Sequence, residues 1–179
     1  NDKTSAPWFA PAGLNRGVVS AIGTKVSLAQ ADRDTLYQGR VNPIANFGGQ
    51  NGGIVVWGQK TLQRRQTALD RVNVRRLMFY IEKAIRIASR NLLFDPNDAV
   101  FRAQFENLAQ NILLQVQVGR GLYGFVIKAD AELNTPDVID RNEFRARIGV
   151  QPTRAAEFMF IEFSIHRTGS FASAGAETF

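Results

Sequence analysis

Residues 67–91, TALDRVNVRRLMFYIEKAIRIASRN, constrain the fold more than any other stretch of the chain. Val74, Leu77, Met78, Ile81, Ala84, Ile85, Ala88 and Leu92 recur at spacings of three and four, which lays them on one stripe of an α-helix. The opposite face carries Arg75, Arg76, Lys83, Arg86 and Arg90, and Glu82 stands four residues before Arg86, the favourable order for a helix ion pair. Either Asp70 or Asn73 can cap the N-terminus. The rest of the chain is expected to pack against the apolar stripe.

The cationic side also holds the protein's charge. Between residues 60 and 91 there are nine Lys or Arg and two acids, a local charge of +7, whereas the whole chain carries +6, so everything else sums to −1. A localised patch of this kind suits an acidic partner: a nucleic acid, a membrane surface or an acidic protein. A simply solvated helix face is the bland alternative.

The remaining elements follow from turn residues and periodicity. Two prolines and two glycines in residues 7–17, PWFAPAGLNRG, preclude a helix and imply a loop pinned to the core by Trp8 and Phe9. Residues 17–26 read as extended. A short helix is expected near 30–37, with Ser27 ahead of it as cap and Gly39 as its stop. Two short strands, 44–47 and 54–57, flank the turn GGQNGG. After breakers at 91–97, a second helix is expected from Asp98, its N-cap, to Val116, with Phe101, Phe105, Leu108, Ala109, Ile112 and Val116 as its stripe. Strands are expected over 125–129, 143–150 and 157–165, with a turn at 134–137. The predicted fold class is therefore α+β: a mixed β-sheet flanked by two main helices, 73–91 and 98–116. The domain boundaries read as 1–165 for the body and 166–179 for a C-terminal arm.

In that arm Ala172, Ala174 and Ala176 alternate, as in a strand lying flat on another surface, while a disordered terminus is the base-rate alternative. The chain lacks an initiator Met and a signal-peptide pattern, and is expected to be a fragment or processed piece of something longer. No apolar run approaches the ~18 residues of a membrane span.

Catalytic chemistry finds no support in the residue types. There is one histidine, His166, and no cysteine, which leaves no Ser-His-Asp or Cys-His set, no disulfide and no zinc site. Gly119-Arg-Gly-Leu-Tyr-Gly124 matches G-x-G-x-x-G literally but follows a predicted helix and precedes a strand, the reverse of a dinucleotide site, and reads as a turn with a helix C-cap. Asp95-Pro-Asn-Asp98 lacks the ligands of a calcium loop. Asp137, Asp140 and Glu143 read as solvated or as partners of Arg141 and Arg145. No enzyme, cofactor or metal is expected. Nucleic-acid binding is disfavoured because Phe79 and Tyr80 read as part of the apolar helix, leaving no stacking aromatics in the patch.

An ordered set of motifs carries a family resemblance. Trp8-Phe-Ala-Pro-Ala-Gly-Leu-Asn-Arg-Gly17 looks like W-x-x-P-A-G-x-x-R-G. Leu36-Tyr37, Val41-Asn-Pro-Ile44 and Val56-Trp-Gly-Gln-Lys-Thr61 follow, the last like W-G-x-K/R-T. Asp70-Arg-Val-Asn-Val-Arg-Arg-Leu77, Leu93-Phe-Asp-Pro-Asn97, Gly119-Arg-Gly121 and Asp137-Val-Ile-Asp-Arg-Asn-Glu143 complete it. In order and spacing the set resembles the tail sheath proteins of contractile phage tails and related injection machines, specifically their C-terminal, inward-facing domain. The resemblance implies a virion protein that polymerises with copies of itself into stacked rings around a tail tube and contracts to drive the tube through the host envelope. It implies tube, baseplate and tail terminator proteins as partners, no membrane and no nucleic acid. It also implies strand exchange between subunits, for which residues 166–179 are the candidate arm, with Ser170, Phe171, Ala172, Ala174 and Ala176 as its core. Arg64, Arg65, Arg75, Arg76, Lys83 and Arg86 are the candidates to face acids on the tube or an adjacent subunit. The competing expectation for the last group is a structural role, Arg75 and Arg76 pairing with acids such as Asp137 or Asp140.

Overall fold

The long helix forms where the apolar period places it. The computed structural model describes residues 6–48 and 53–161. Within them α1 spans Gln30–Gln38, β1 Ile44–Asn46, β2 Ile54–Val56, α2 Val72–Ala88, α3 Ala99–Val118, β3 Leu122–Lys128, α4 Pro136–Asp140 and β4 Arg147–Pro152. Short 3-10 turns at Ala68–Asp70 and Ser89–Leu92 bracket α2.

The entry to α2 differs from the sequence expectation. Arg71 occupies the N-cap position with no side-chain cap bond, and the preceding turn is capped instead by Thr67, whose hydroxyl accepts from the Leu69 amide at 3.2 Å. Asp70 closes a backbone bridge, its carbonyl accepting from Thr61 N at 3.0 Å. Asn73 is buried, and its amide donates to the Trp8 carbonyl at 3.3 Å. Asp98 does cap α3, accepting from Phe101 N at 2.8 Å, and Gly39 and Gly119 end α1 and α3. Ahead of α1 the Asp32 carboxylate accepts from Ala29 N, and Ser27 takes no part.

One core joins α2, α3 and the second sheet. Leu77, Ile81 and Ile85 of α2 meet Phe105, Ala109, Leu113 and Val116 of α3, with Leu122 and Ala129 at the ends of β3, all buried. Full burial of each Leu, Ile, Val or Phe contributes about 1.5–3 kcal/mol. Phe144 closes the far side, edge-on to Phe101 and Phe105 with centroids at 5.0 and 4.9 Å.

The α+β class with two main helices holds, and the strands divide into two antiparallel pairs, β1–β2 and β3–β4, rather than one continuous sheet. β4 begins at Arg147, later than its alternation suggests. The buried Asn134 amide takes both backbone groups of Arg145, accepting from its N–H at 2.8 Å and donating to its carbonyl at 2.9 Å, so that residue cannot join the ladder. Residues 134–137, read as a turn, lead into the single turn α4, with Pro136 in its first turn. Between 17 and 26 pairing is confined to a bridge from Val18 to Val55. There Gly17 is required: a Cβ would lie 2.7 Å from the Val56 carbonyl oxygen. The strand expected from 157 is absent over 157–161, and the rest of it, like the arm with Ser170, Phe171, Ala172, Ala174 and Ala176, lies outside the described residues.

Candidate assembly surface

Helix α2 turns its stripe inward and thereby displays its cations. Arg75, Lys83, Arg86 and Arg90 are exposed and Arg76 is half-buried. Arg64 and Arg65 sit, exposed, in the loop before Ala68–Asp70, and the loop is tied to the helix where Arg75 Nη2 donates to Gln63 Oε1 at 3.4 Å. From the other side Arg40 Nη2 donates to the Arg64 carbonyl at 2.7 Å. Loop and helix therefore form one cationic surface at the N-terminal half of α2, continued toward its C-terminus by Lys83 and Arg86.

Two sequence expectations about this surface change. Arg75 bonds to Gln63, and in the 137–143 segment Arg141 and Arg145 both hold Glu143, at 3.3 and 2.8 Å, and keep its carboxyl below the usual range. Phe79, expected to offer no stacking aromatic within the apolar helix, is 64 % exposed in the middle of the cationic face, because position 79 falls between Arg75, Lys83 and Arg86 on the helical wheel. Tyr80, at the margin, rests edge-on against Trp8 with centroids 5.7 Å apart.

A second constellation was not visible in the sequence. After β4 the chain continues without regular structure through residues 153–161, crossing the body as a strap. At its near end Thr153 N and Oγ1 both donate to the Gly121 carbonyl, at 3.1 and 3.2 Å, and the hydroxyl also reaches the Arg120 carbonyl at 2.9 Å. Further on, the Glu157 carboxylate is surrounded by donors. Oε1 accepts from Arg71 Nε at 2.6 Å and Gln59 Nε2 at 3.3 Å. Oε2 accepts from Arg71 Nη2 at 3.0 Å and from the Tyr37 hydroxyl. Two-pronged arginine–carboxylate contacts are among the stronger hydrogen bonds available to a protein. Burial would raise the Glu157 carboxyl, but the Arg71 and Tyr37 bonds outweigh it and hold it below its ordinary range. Burial, followed by the bond to Glu157, pushes the Tyr37 hydroxyl up to about 12. Lys60 completes the cluster, with Nζ 3.2 Å from the Tyr37 ring centroid.

The turn that anchors Thr153 is also pinned by Trp8. Its Nε1 donates to the Gly119 carbonyl at 2.6 Å. A Cβ at Gly119 would stand 2.6 Å from Trp8 Cζ2, and one at Gly121 would stand 2.6 Å from Val116 and 2.9 Å from Trp8. The Gly119-Arg-Gly121 motif is thus the seat of the indole as well as a helix stop.

Among the described residues no group of three or more His, Cys, Asp or Glu is placed to hold a metal ion, and no helix is long and apolar enough to cross a membrane. Among the described residues each sheet has two strands; residues 17–19 already bond along β2, which leaves β1 and the β3–β4 pair with edges to which an extended segment can pair.

Residues 65–166 match the family model described as the phage tail sheath C-terminal domain. The chain is 40 % identical over 163 residues to a tail sheath protein of Vibrio phage KVP40 and 36 % identical over 170 residues to that of Enterobacteria phage T4. These alignments cover 90 and 94 % of this chain but 24 and 26 % of the relatives, so the chain spans about a quarter of their length. Among solved structures, a chain of the contracted sheath complex of the extracellular contractile injection system PVC superposes with a TM-score of 0.81 at 26 % identity, covering 91 % of this chain and 47 % of that one. A chain of the anti-feeding prophage baseplate shares the fold with the same TM-score at 24 % identity, covering 93 and 47 %. With more than half of its length inside the family model and its motifs in the family's order, this chain belongs to the phage tail sheath C-terminal domain family.

Proposed function

We propose that the chain is the inner, lattice-forming domain of a contractile tail sheath subunit. It polymerises with further copies into stacked rings around a tail tube, holds an extended state, and contracts to drive the tube through the host envelope. The observation that carries this reading is the family match over residues 65–166, supported by tail sheath relatives at 36–40 % identity. The tube, the baseplate and a tail terminator are the remaining partners, and the virion tail, assembled in the host cytoplasm, is its place. The relatives are sheath proteins, and the alternative of a basic nucleic-acid-binding module is set aside even though Phe79 is exposed among the arginines.

Two surfaces divide the work. Residues 166–179, with Ser170, Phe171, Ala172, Ala174 and Ala176 at their centre, add a strand to an open sheet edge of a neighbouring subunit. Each backbone hydrogen bond contributes about 0.5–1.5 kcal/mol net, and a handful per link repeated along a lattice persists while subunits rotate. Arg64, Arg65, Arg75, Arg76, Lys83 and Arg86 face acids on the tube or an adjacent subunit. Exposed ion pairs are worth ~0–1 kcal/mol each, which suits a contact that must break on contraction.

Negative-stain microscopy of the full-length protein that carries this chain, without its tube, tests the reading against a version cut after Ser164. Long tubular polymers from the intact form alone support the sheath lattice and assign the arm to it. Polymers from both forms keep the lattice and remove the arm's role. No polymers at any salt concentration would overturn the sheath reading.

A further inference from the structure

We infer that Glu157 is a positioning residue for assembly: its carboxylate, seated among Arg71, Tyr37 and Gln59, sets where the chain's apolar run 158–161 leaves the body toward a second copy of this chain. This role rests on the sheath reading above.

The strap is weakly held except at that carboxylate. Among the described residues its polar anchors are Thr153 at one end and Glu157, with the Phe158 ring edge-on to Tyr37 beside it at 5.7 Å. The backbone between them lies over clefts of about 530 and about 210 Å³, both bordered by Ala155, Glu157 and Phe158. Apolar packing adds little to the carboxylate as a fixing point: apart from the Phe158 ring on Tyr37, itself 66 % exposed, residues 154–161 lie open.

The receptor, by contrast, is built into the body. Arg71 is the N-cap residue of α2, and the backbone on either side of it is clamped: Thr61 N donates to the Asp70 carbonyl at 3.0 Å and Val72 N to the Gln59 carbonyl at 2.8 Å. Asp70 Oδ2 holds Arg71 Nη1 at 2.8 Å, leaving Nε and Nη2 for Glu157. Tyr37 comes from the last turn of α1, and its carbonyl accepts from Lys60 Nζ at 2.8 Å. Three separate segments of the chain therefore present four donors to one carboxylate, filling both faces of each oxygen.

Past this point Phe158, Met159, Phe160 and Ile161 are 66, 80, 96 and 63 % exposed. Four consecutive apolar side chains in water imply a covering surface. The occupant is a second copy: helical sheath assemblies share this fold, and the run is continuous with the segment proposed to exchange between subunits. A carboxylate anchor immediately before the run fixes its starting point on every subunit alike, which a repeating lattice requires.

The test compares the wild type with Glu157→Gln in the full-length protein that carries this chain. Glutamine is nearly isosteric, loses the charge and turns one acceptor into a donor facing Arg71 or Tyr37. Trypsin cleavage after Arg154 and chymotrypsin cleavage after Phe158 are timed in the unassembled protein, and polymer length is measured by microscopy. The expected result is cleavage within 153–161 about ten-fold faster, as for loss of one charged hydrogen-bond set, with cleavage elsewhere unchanged and polymers several-fold shorter. Glu143→Gln, which removes a comparable exposed ion-pair group away from the strap, is expected to change neither. Unchanged strap cleavage overturns the clasp. Faster cleavage with full-length polymers overturns the positioning role, as does an equal effect of Glu143→Gln. A wild type that forms no polymers refutes the sheath reading instead, and strap cleavage still tests the clasp.

Discussion

Replacing Gly119 by alanine is expected to destabilise the chain when Trp8 is present and to stabilise it when Trp8 is absent. Gly119 has a φ of −73°, open to any residue, so alanine meets no backbone strain there. What it meets first is the indole: a Cβ would lie 2.6 Å from Trp8 Cζ2 and 3.4 Å from Cε2, besides 3.2 Å from the Gln115 carbonyl oxygen of its own helix. The ring cannot simply swing away, because Nε1 is bonded to the Gly119 carbonyl and the ring also packs on Tyr80. Forced overpacking of this sort costs about 1–3 kcal/mol. Against it, alanine restricts the unfolded chain and returns about 0.4–1 kcal/mol. The net expectation is a loss of about 1–2 kcal/mol in the wild-type background and a gain of about 0.4–1 kcal/mol in Trp8→Ala. Urea unfolding followed by far-UV circular dichroism measures both, each variant being compared with its own background since Trp8→Ala is itself destabilising. Equal effects in the two backgrounds would refute the account of Gly119 as the seat of Trp8.

Three further outcomes are expected. Asp98→Ala removes the side chain that accepts from Phe101 N and lowers stability by about 1 kcal/mol, read from the same urea midpoint. The Glu157 carboxyl is depressed in the folded chain, so its contribution is fully present above the unfolded value of about 4.3 and is lost as pH falls through the lower folded value. The NMR contact between the Tyr37 and Phe158 rings should therefore persist above that unfolded value and fade only as the pH falls below it, and Glu157→Gln should abolish that transition. Reversing two cations of the α2 face, Arg75→Glu with Lys83→Glu, should impair assembly on the tube while leaving the urea midpoint within about 0.5 kcal/mol, because both side chains are exposed. Normal tube decoration by that variant would sink the electrostatic role.

The parts of this fold that were legible in advance are those set by neighbours in sequence. Leu77, Ile81 and Ile85 are three and four residues apart, so the helix period alone aims them at one core. Asp98 and Gly119 announce the ends of α3 by local capping chemistry. What stayed hidden depends on residues far apart along the chain. Glu157 reads only as the first residue of an expected strand, and nothing near it hints at Arg71 or Tyr37, which lie 86 and 120 residues away. The exposure of Phe79 escapes a reading that counts it with the apolar helix, whereas its angular position sets it among the cations. The late start of β4 was hidden for the same reason: the Asn134 amide diverts Arg145 from the ladder, an effect no propensity scale contains. The cationic surface was read correctly as localised, since charge counting needs no fold, but the tie between loop and helix through Gln63 and Arg75 needed the structure.

The turn at residues 119–121 receives both Trp8 and Thr153. A tensile load applied between the segment around residue 8 and the strap beyond residue 153 therefore has a short circuit. It passes from indole to turn to threonine through hydrogen bonds to three successive carbonyl oxygens. Helix α2 shares that load through Asn73 on the Trp8 carbonyl and Tyr80 on its ring, and α3 meets it only at its last turn. A chain pulled at both ends would load this turn and the outer side of α2 directly, and the core between α2 and α3 only through them.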